Sequence, residues 1–213
     1  MPNTGIVASG VNLSSGVEAL LEPFNNFSAW TVVGSPAIVA GRTGTCGQFN
    51  GAVDRVTYNI PAPLQSDTIT VGFAFRRVDS STVGPRAICE FFSDNDTLIH
   101  NRFRWTVTTT LLEFTLGPSN VLASNNAITF VTNTWYYIEI QVKLHDTTGF
   151  VIVKINNTTV LSATNVDTKN GGTKTVYDSF RVGAGGSTTN HNWDDLYITM
   201  GAGATFKGSI TIP

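Results

Sequence analysis

The chain has 213 residues, and its 41% hydrophobic content supplies one substantial core without a disulfide scaffold. Only 13% of residues are charged, and 13 Lys plus Arg against 15 Asp plus Glu give a formal charge of −2. That excludes the dense basic stripe a nucleic-acid partner requires, and no apolar run approaches the roughly 20 residues of a membrane span, so no membrane insertion is expected.

Polarity is carried instead by Thr, Asn, Ser and 20 Gly, which favours strands and tight turns over helices. The expected class is all-β. Residues 1–21 read as an N-terminal arm, weakly patterned and punctuated by Gly and Ser, with Val17 to Leu21 as a candidate helical turn. The start, Met1-Pro2-Asn3-Thr4-Gly5, has no basic segment followed by an apolar one, so no secretory signal is expected. Residues 22–213 read as one domain. Phe24, Phe27 and Trp30 lead into Trp30-Thr31-Val32-Val33, a Gly34-Ser35-Pro36 turn and Ala37 to Ala40, the outline of a first hairpin.

Alternation is strongest in the middle. Ile69, Val71, Phe73 and Phe75 fall on one face of a strand, and Phe103, Trp105 and Val107 on one face of another, with Arg102, Arg104 and Thr106 opposite. Leu112, Phe114 and Leu116 continue the pattern. Tyr136, Ile138, Ile140, Val142 and Leu144 form the longest stripe, with Val151, Val153 and Ile155 as its hairpin partner across Asp146 to Gly149. Such stripes at intervals of about ten residues, with turn signals between, predict a sandwich or barrel. Cys46 and Cys89 are the only cysteines and read as buried thiols, Cys89 facing inward beside Ala87 and Phe91.

The segments Trp135 to His145, Phe150 to Asn157 and His191 to Met200, above all Trp193-Asp194-Asp195-Leu196-Tyr197-Ile198 preceded by Phe180 to Gly183, resemble the closing strands of concanavalin A-like lectin, laminin G-like and pentraxin-like jelly rolls. The resemblance covers about nine-tenths of the chain, from Glu22 onward. It implies a two-sheet antiparallel jelly-roll sandwich, a fold that hosts binding modules, hydrolases and structural parts alike.

Two carboxylate groups invite a metal. Asp194 and Asp195 read either as calcium ligands or a sugar-binding pair, or as a lock in which an inward Asp accepts loop amides; the lock is favoured because a buried carboxylate with such partners needs no ligand. Asp94 and Asp96, in Ser93-Asp94-Asn95-Asp96, would offer oxygens to calcium, but the rest of an EF-hand loop is missing and a simple turn accounts for them. Calcium is therefore the one cofactor left open. For glycan binding the candidates are Arg102, Arg104, Trp105, Trp193 and Tyr197, with Arg76 and Arg86 expected to cluster near the first two. Sugar binding would need Trp105, Trp193 and Tyr197 partly exposed.

Catalysis is not expected. Glucanases of this fold resemble one another in a Glu-x-Asp-x-x-Glu strand, absent here, and Glu90, Glu113 and Glu139 stand alone. Lyases of this fold would call for a Tyr or His base with Arg and Gln neighbours, an arrangement that the spacing of His100, His145 and His191 does not provide. In style the chain resembles tailed-bacteriophage virion proteins that carry the fold. That implies a structural protein of the virion surface, a capsid decoration or tail-fibre component, docking on other virion proteins as a homo-oligomer. The alternative is a lectin-like adhesin for host-surface polysaccharide.

Overall fold

The computed structural model describes residues 17–51, 53–79, 85–93, 97–106, 110–126, 128–183, 190–201 and 204–212, with the side chains of residues 85 and 86 excepted. Among the described residues fifteen strands follow one another: β1 (Val17–Glu22), β2 (Thr31–Val33), β3 (Ala37–Ala40), β4 (Thr45–Phe49), β5 (Arg55–Asn59), β6 (Thr68–Arg77), β7 (Pro85–Ser93) and β8 (Leu98–Thr106). Then come β9 (Leu111–Leu116), β10 (Asn120–Asn125), β11 (Trp135–Lys143), β12 (Gly149–Ile155), β13 (Thr158–Val166), β14 (Ser179–Val182) and β15 (His191–Met200). The helical content among the described residues is one 3-10 turn, Ala62–Leu64, and no helix is long and apolar enough to cross a membrane.

The strands form two antiparallel sheets packed as a jelly-roll sandwich. The first, here the β6 sheet, runs β13-β12-β11-β6-β15-β4-β3, with β1 also on β15. The second, the β7 sheet, runs β10-β9-β8-β7-β14-β5-β2. Alternating apolar residues build the core as the sequence pattern predicts. Ile69, Val71, Phe73 and Phe75 meet Val142, Ile140, Ile138 and Tyr136 across the β6–β11 ladder. From the other sheet Cys89, Phe91, Phe103, Trp105, Leu112 and Phe114 close over them, all in one buried cluster. Fully burying each such side chain contributes roughly 1.5–3 kcal/mol.

Three features depart from the sequence reading. Val17–Glu22 is a strand paired to β15, not a helical turn; residues 1–16 of the expected arm lie outside the described residues. The expected first hairpin is instead a crossing between sheets: β2 pairs β5 in the β7 sheet, and β3 pairs β4 in the β6 sheet. Gly34 makes the crossing with φ +83°, and a Cβ there would lie 2.3 Å from Asp54 Oδ1, so glycine is required. Asp54 in turn accepts the amides of Ser35 at 2.8 Å and Gly51 at 2.7 Å.

The third departure is a bulge in β15. Asp195 sits at φ 50°, and the register with β6 slips between Asp194 and Tyr197. Strict alternation would set Trp193 and Tyr197 on one face. The extra residue instead sends Trp193, Leu196 and Ile198 into the core, while Tyr197 joins Ala74 and Tyr137 on the outer face.

Candidate functional site

Four regions carry chemistry. The first is the outer face of the β7 sheet. Alternation around the core residues Val56 and Phe103 places Arg55 and Thr57 of β5, and Arg102 and Arg104 of β8, on this face. The registers set Thr57 beside Arg181, Arg181 beside Glu90, Glu90 beside Arg102 and Arg102 beside Thr115, a row across five strands. Arg102 Nε donates to Glu90 Oε1 at 2.7 Å, and Arg181 reaches Glu90 Oε2 at 3.3 Å. Arg104 Nε donates to Glu113 Oε2 at 2.8 Å, and both Arg102 and Arg104 donate to the Pro118 carbonyl at 3.3 Å. Four arginines (Arg55, Arg102, Arg104, Arg181) against two glutamates leave this set two charges positive. The carboxylates lie deep, Glu90 at 3% side-chain exposure, while the Arg102 guanidinium keeps 24%.

The sequence reading named Arg102 and Arg104 but missed Arg181, whose placement depends on the β14–β7 pairing with Glu90, 91 positions away in sequence. The expected companions do not join them. Arg76 lies on the β6 sheet, over the Trp135 ring at 4.7 Å, and the Arg86 side chain is outside the described residues. Nor do Trp105, Trp193 and Tyr197 present ring faces to solvent: they are 3%, 0% and 0% exposed. Trp105 and Trp193 point between the sheets, Trp193 stacked on Phe73 with centroids 3.8 Å apart. Tyr197 is on the other sheet's outer face and covered.

That cover is the second region. Residues 204–212 run across the β6 sheet and are held through their backbone by side chains beneath. Gly208 N donates to Glu139 Oε1 at 2.9 Å, Lys207 N to the Tyr197 hydroxyl at 3.2 Å, and Ile212 N to Asp195 Oδ1 at 2.7 Å. Arg42 donates to the Ile210 carbonyl at 3.0 Å and pairs with Asp195 at 3.5 Å. Burial, the neighbouring Glu139 and the bond to it push the Tyr197 hydroxyl far above the ordinary phenol range.

Asp194 accepts the Arg42 amide at 2.7 Å and the Thr43 amide at 3.4 Å with Oδ2, and the Asp195 amide at 2.9 Å with Oδ1. Asp194 thus holds the β3–β4 turn, and Asp195 the C-terminal segment. Burial raises the Asp194 carboxyl, opposed by the Arg42 amide. Asp94 and Asp96 lie outside the described residues. Among the described residues no group of three or more His, Cys, Asp or Glu is arranged to hold a metal ion.

The third region is a pair the sequence spacing did not suggest. Ser93 Oγ lies 2.6 Å from His100 Nε2, and His100 Nδ1 meets the Lys169 carbonyl. That carbonyl accepts a hydrogen bond from Nδ1–H, leaving Nε2 to accept from the serine hydroxyl, which is the polarity of a nucleophile and its base. Both residues are fully buried, and a Cβ at Gly172 would sit 3.1 Å from the imidazole, so the pair here works as an internal fastening.

The fourth is a small, partly open cavity between the sheets at one end of the sandwich, lined by Phe75, Arg77, Ala87, Ile88, Trp105, Asn190 and His191. Arg77 lies over the Trp105 ring at 5.2 Å, and Phe130 meets it edge-on at 5.0 Å, so the indole is firmly oriented.

No family model matches the chain, and no curated protein matches it by sequence. Solved structures do match in shape. An endo-β-1,4-glucuronan lyase from the fungus Trichoderma reesei superposes with TM-score 0.63 at 14% identity, over 86% of this chain and 96% of that one. An alginate lyase bound to an alginate tetrasaccharide gives 0.57 at 13% identity, over 82% and 86%. A carbohydrate esterase of the Shiga toxin-encoding bacteriophage phi24B gives 0.58 at 12% identity, over 88% and 100%. These likenesses overturn the expectation that the chain is not an enzyme. The sandwich is one in which lyases and an esterase are built, so the missing Glu-x-Asp-x-x-Glu strand excludes nothing. At such identities the likeness establishes the fold alone: a jelly-roll sandwich shared with carbohydrate-acting proteins.

Proposed function

We propose that this chain binds an anionic polysaccharide along the outer face of the β7 sheet, through Arg55, Arg102, Arg104 and Arg181. One observation carries the reading: the guanidiniums of Arg102, Arg104 and Arg181 lie on one face with their carboxylate partners Glu90 and Glu113 buried beneath them, and alternation along β5 puts Arg55 on the same face. Guanidinium groups present paired N–H donors suited to carboxylates, and a strand face repeats its side chains at a period that suits a linear polymer. The named substrates of the similarly folded lyases, glucuronan and alginate, support a uronate polymer as the ligand class. A bacteriophage setting belongs to the same proposal: a virion protein with such a face would use it to hold host-surface polysaccharide, with or without cleavage. The alternative adhesin reading is preferred over pure docking because the arginine face offers a ligand site, whereas no described surface selects a virion partner.

The test is titration of the purified protein with a uronate polymer and with a neutral glucan, at low and high salt. Release of unsaturated or de-esterified products is followed in the same samples. Saturable uronate binding that weakens with salt and drops about tenfold in Arg102→Ala, equivalent to ~1.4 kcal/mol, supports the proposal. Equal affinity for the neutral glucan, or none for either polymer, overturns it.

A further inference from the structure

We propose that the groove under the C-terminal segment is a peptide site, and that the same segment of a second copy of this chain occupies it in exchange. The groove lies on the β6 sheet, the opposite sheet from the arginine row. Glu139 accepts the Gly208 amide, the Tyr197 hydroxyl that of Lys207, and Asp195 that of Ile212. Arg42 and Gln141 donate to the carbonyls of Ile210 and Ala204. Acceptors on the sheet thus meet the segment's N–H groups, and donors meet its C=O groups. That is the complementarity by which an extended peptide is recognised through its main chain.

The outer face of an antiparallel sheet commonly meets water. Here Glu139, Asp195 and Tyr197 are at most 1% exposed, with the segment bonded over them. The segment gives little to the core in return: of residues 204–212 only Ala204 is buried. When it lifts, the polar side chains beneath exchange its backbone for water, and both sheets keep their ladders. Release is therefore a local opening, cheaper than unfolding.

Backbone bonds alone would accept many extended chains. Side chains narrow the choice to this segment. Ile210 packs on the Ala74, Tyr137 and Tyr197 cluster, Lys207 pairs with Glu18 at 2.8 Å, and the Phe206 ring lies 4.1 Å from the Lys154 ammonium. A second copy carries the same three anchors. The hinge is short as well: Ala204 N donates to the Gly201 carbonyl at 3.0 Å, so the chain turns back on the sheet within four residues. Extending such a hinge hands the segment to a neighbour with its contacts conserved, a low-cost route to a dimer.

The experiment opens the groove in the full chain with Gly208→Pro, which removes a gripped N–H and cannot hold the φ of 74° at that position. Ile212→Pro, which removes another gripped N–H, is the second variant, and each is used if its circular dichroism is native. A fluorescent peptide of residues 204–212 is titrated into both and into the wild type, read by anisotropy. The expected result is saturable binding to the opened variants, at least tenfold weaker in the wild type, where the tethered segment competes. N-methylation of the peptide at the Gly208 and Ile212 nitrogens should weaken binding at least tenfold, and alanine at the exposed Thr205 and Ser209 should not. No binding to a folded opened variant, or equal binding of the methylated peptide, overturns the site. Sedimentation of the wild type decides the exchange even where neither variant folds: a dimer should grow with concentration, and a folded Gly208→Pro should lack it. A wild type that stays monomeric throughout, or a dimer kept by Gly208→Pro, overturns the second copy as occupant.

Discussion

The ring of Tyr197 lies across Gly72 so closely that a Cβ on Gly72 would be 2.1 Å from the tyrosine Cε1. The two residues are register partners across β6 and β15, in the row just past the Asp195 bulge. Bulge, missing side chain and flat ring form one unit, over which the C-terminal segment is laid.

Gly72→Ala should therefore push the ring into that segment. We expect a loss of about 1–3 kcal/mol, the usual cost of overpacking, measured by urea unfolding. Adding Tyr197→Ala should remove most of the alanine's penalty, so a double-mutant cycle reads strong coupling between the two sites. Additive losses would mean that the contact is not the cause.

Alkali should act through the buried phenols. Tyr137, Tyr177 and Tyr197 are all held above the ordinary range, chiefly by burial. A group whose folded pKa is raised contributes stability that is complete below its unfolded value and is lost as pH rises above it. Stability should fall steadily above about pH 10, the unfolded tyrosine value. Absorbance at the phenolate band should show these tyrosines ionising together with unfolding and not before it.

Thiol labelling gives an independent check on the core. Burial, reinforced by the Asp194 charge, pushes the Cys46 thiol up to about 11, and burial holds Cys89 well above its usual value. Neither should react with a thiol reagent at pH 8 in the native protein, and both should react once it is unfolded. The sign is the same as for tyrosine: the Cys46 contribution to stability is lost between about pH 9 and pH 11.

Glu90→Gln tests the arginine face from beneath. It removes the charge shared by Arg102 and Arg181 while keeping the shape. The variant should be less stable, because truncating one side of a buried ion pair costs about 3–5 kcal/mol and exposure of the arginine ends reduces that. It should nevertheless bind a uronate polymer more tightly and with a steeper salt dependence. Weaker binding would place the polymer elsewhere.

Ser93→Ala strips His100 Nε2 of its partner inside the core. The expected cost is about 1–3 kcal/mol, with uronate binding unchanged, since both side chains are fully buried and cannot meet a polymer on the surface. A loss of uronate binding at unchanged stability would assign the pair to the site.

What could be read from the sequence, and what could not, divides along the range of the interactions. The stripes of β6, β11 and β12 depend on residues two positions apart, so the core and its main hairpin were legible. Asp195 was not: alternation assumes an unbroken pleat, and a single left-handed residue reverses the faces of everything after it. The β2–β3 crossing hid for a similar reason, because a Gly-Ser-Pro turn looks the same whether it closes a hairpin or changes sheets. Arg102 and Arg104 were found as neighbours on one strand, whereas Arg181 and Arg55 join them only through strand order. The C-terminal segment carries no pattern because the sheet's side chains grip its backbone, and backbone is the same in every sequence.

Asp54 sits at the end of the sandwich that holds the cavity, since Phe49, a register partner of His191, and Gly183 both neighbour it there. With its carboxylate it ties the β2–β3 crossing to the β4–β5 turn, and the crossing itself stitches one sheet to the other. The two walls are thus hinged shut at that end. Fraying of the sandwich would therefore have to begin away from it. Loosening that stitch, by Asp54→Ala for instance, should free the Ser35, Asn50 and Gly51 amides to exchange with solvent faster than the amides of the sheets they join.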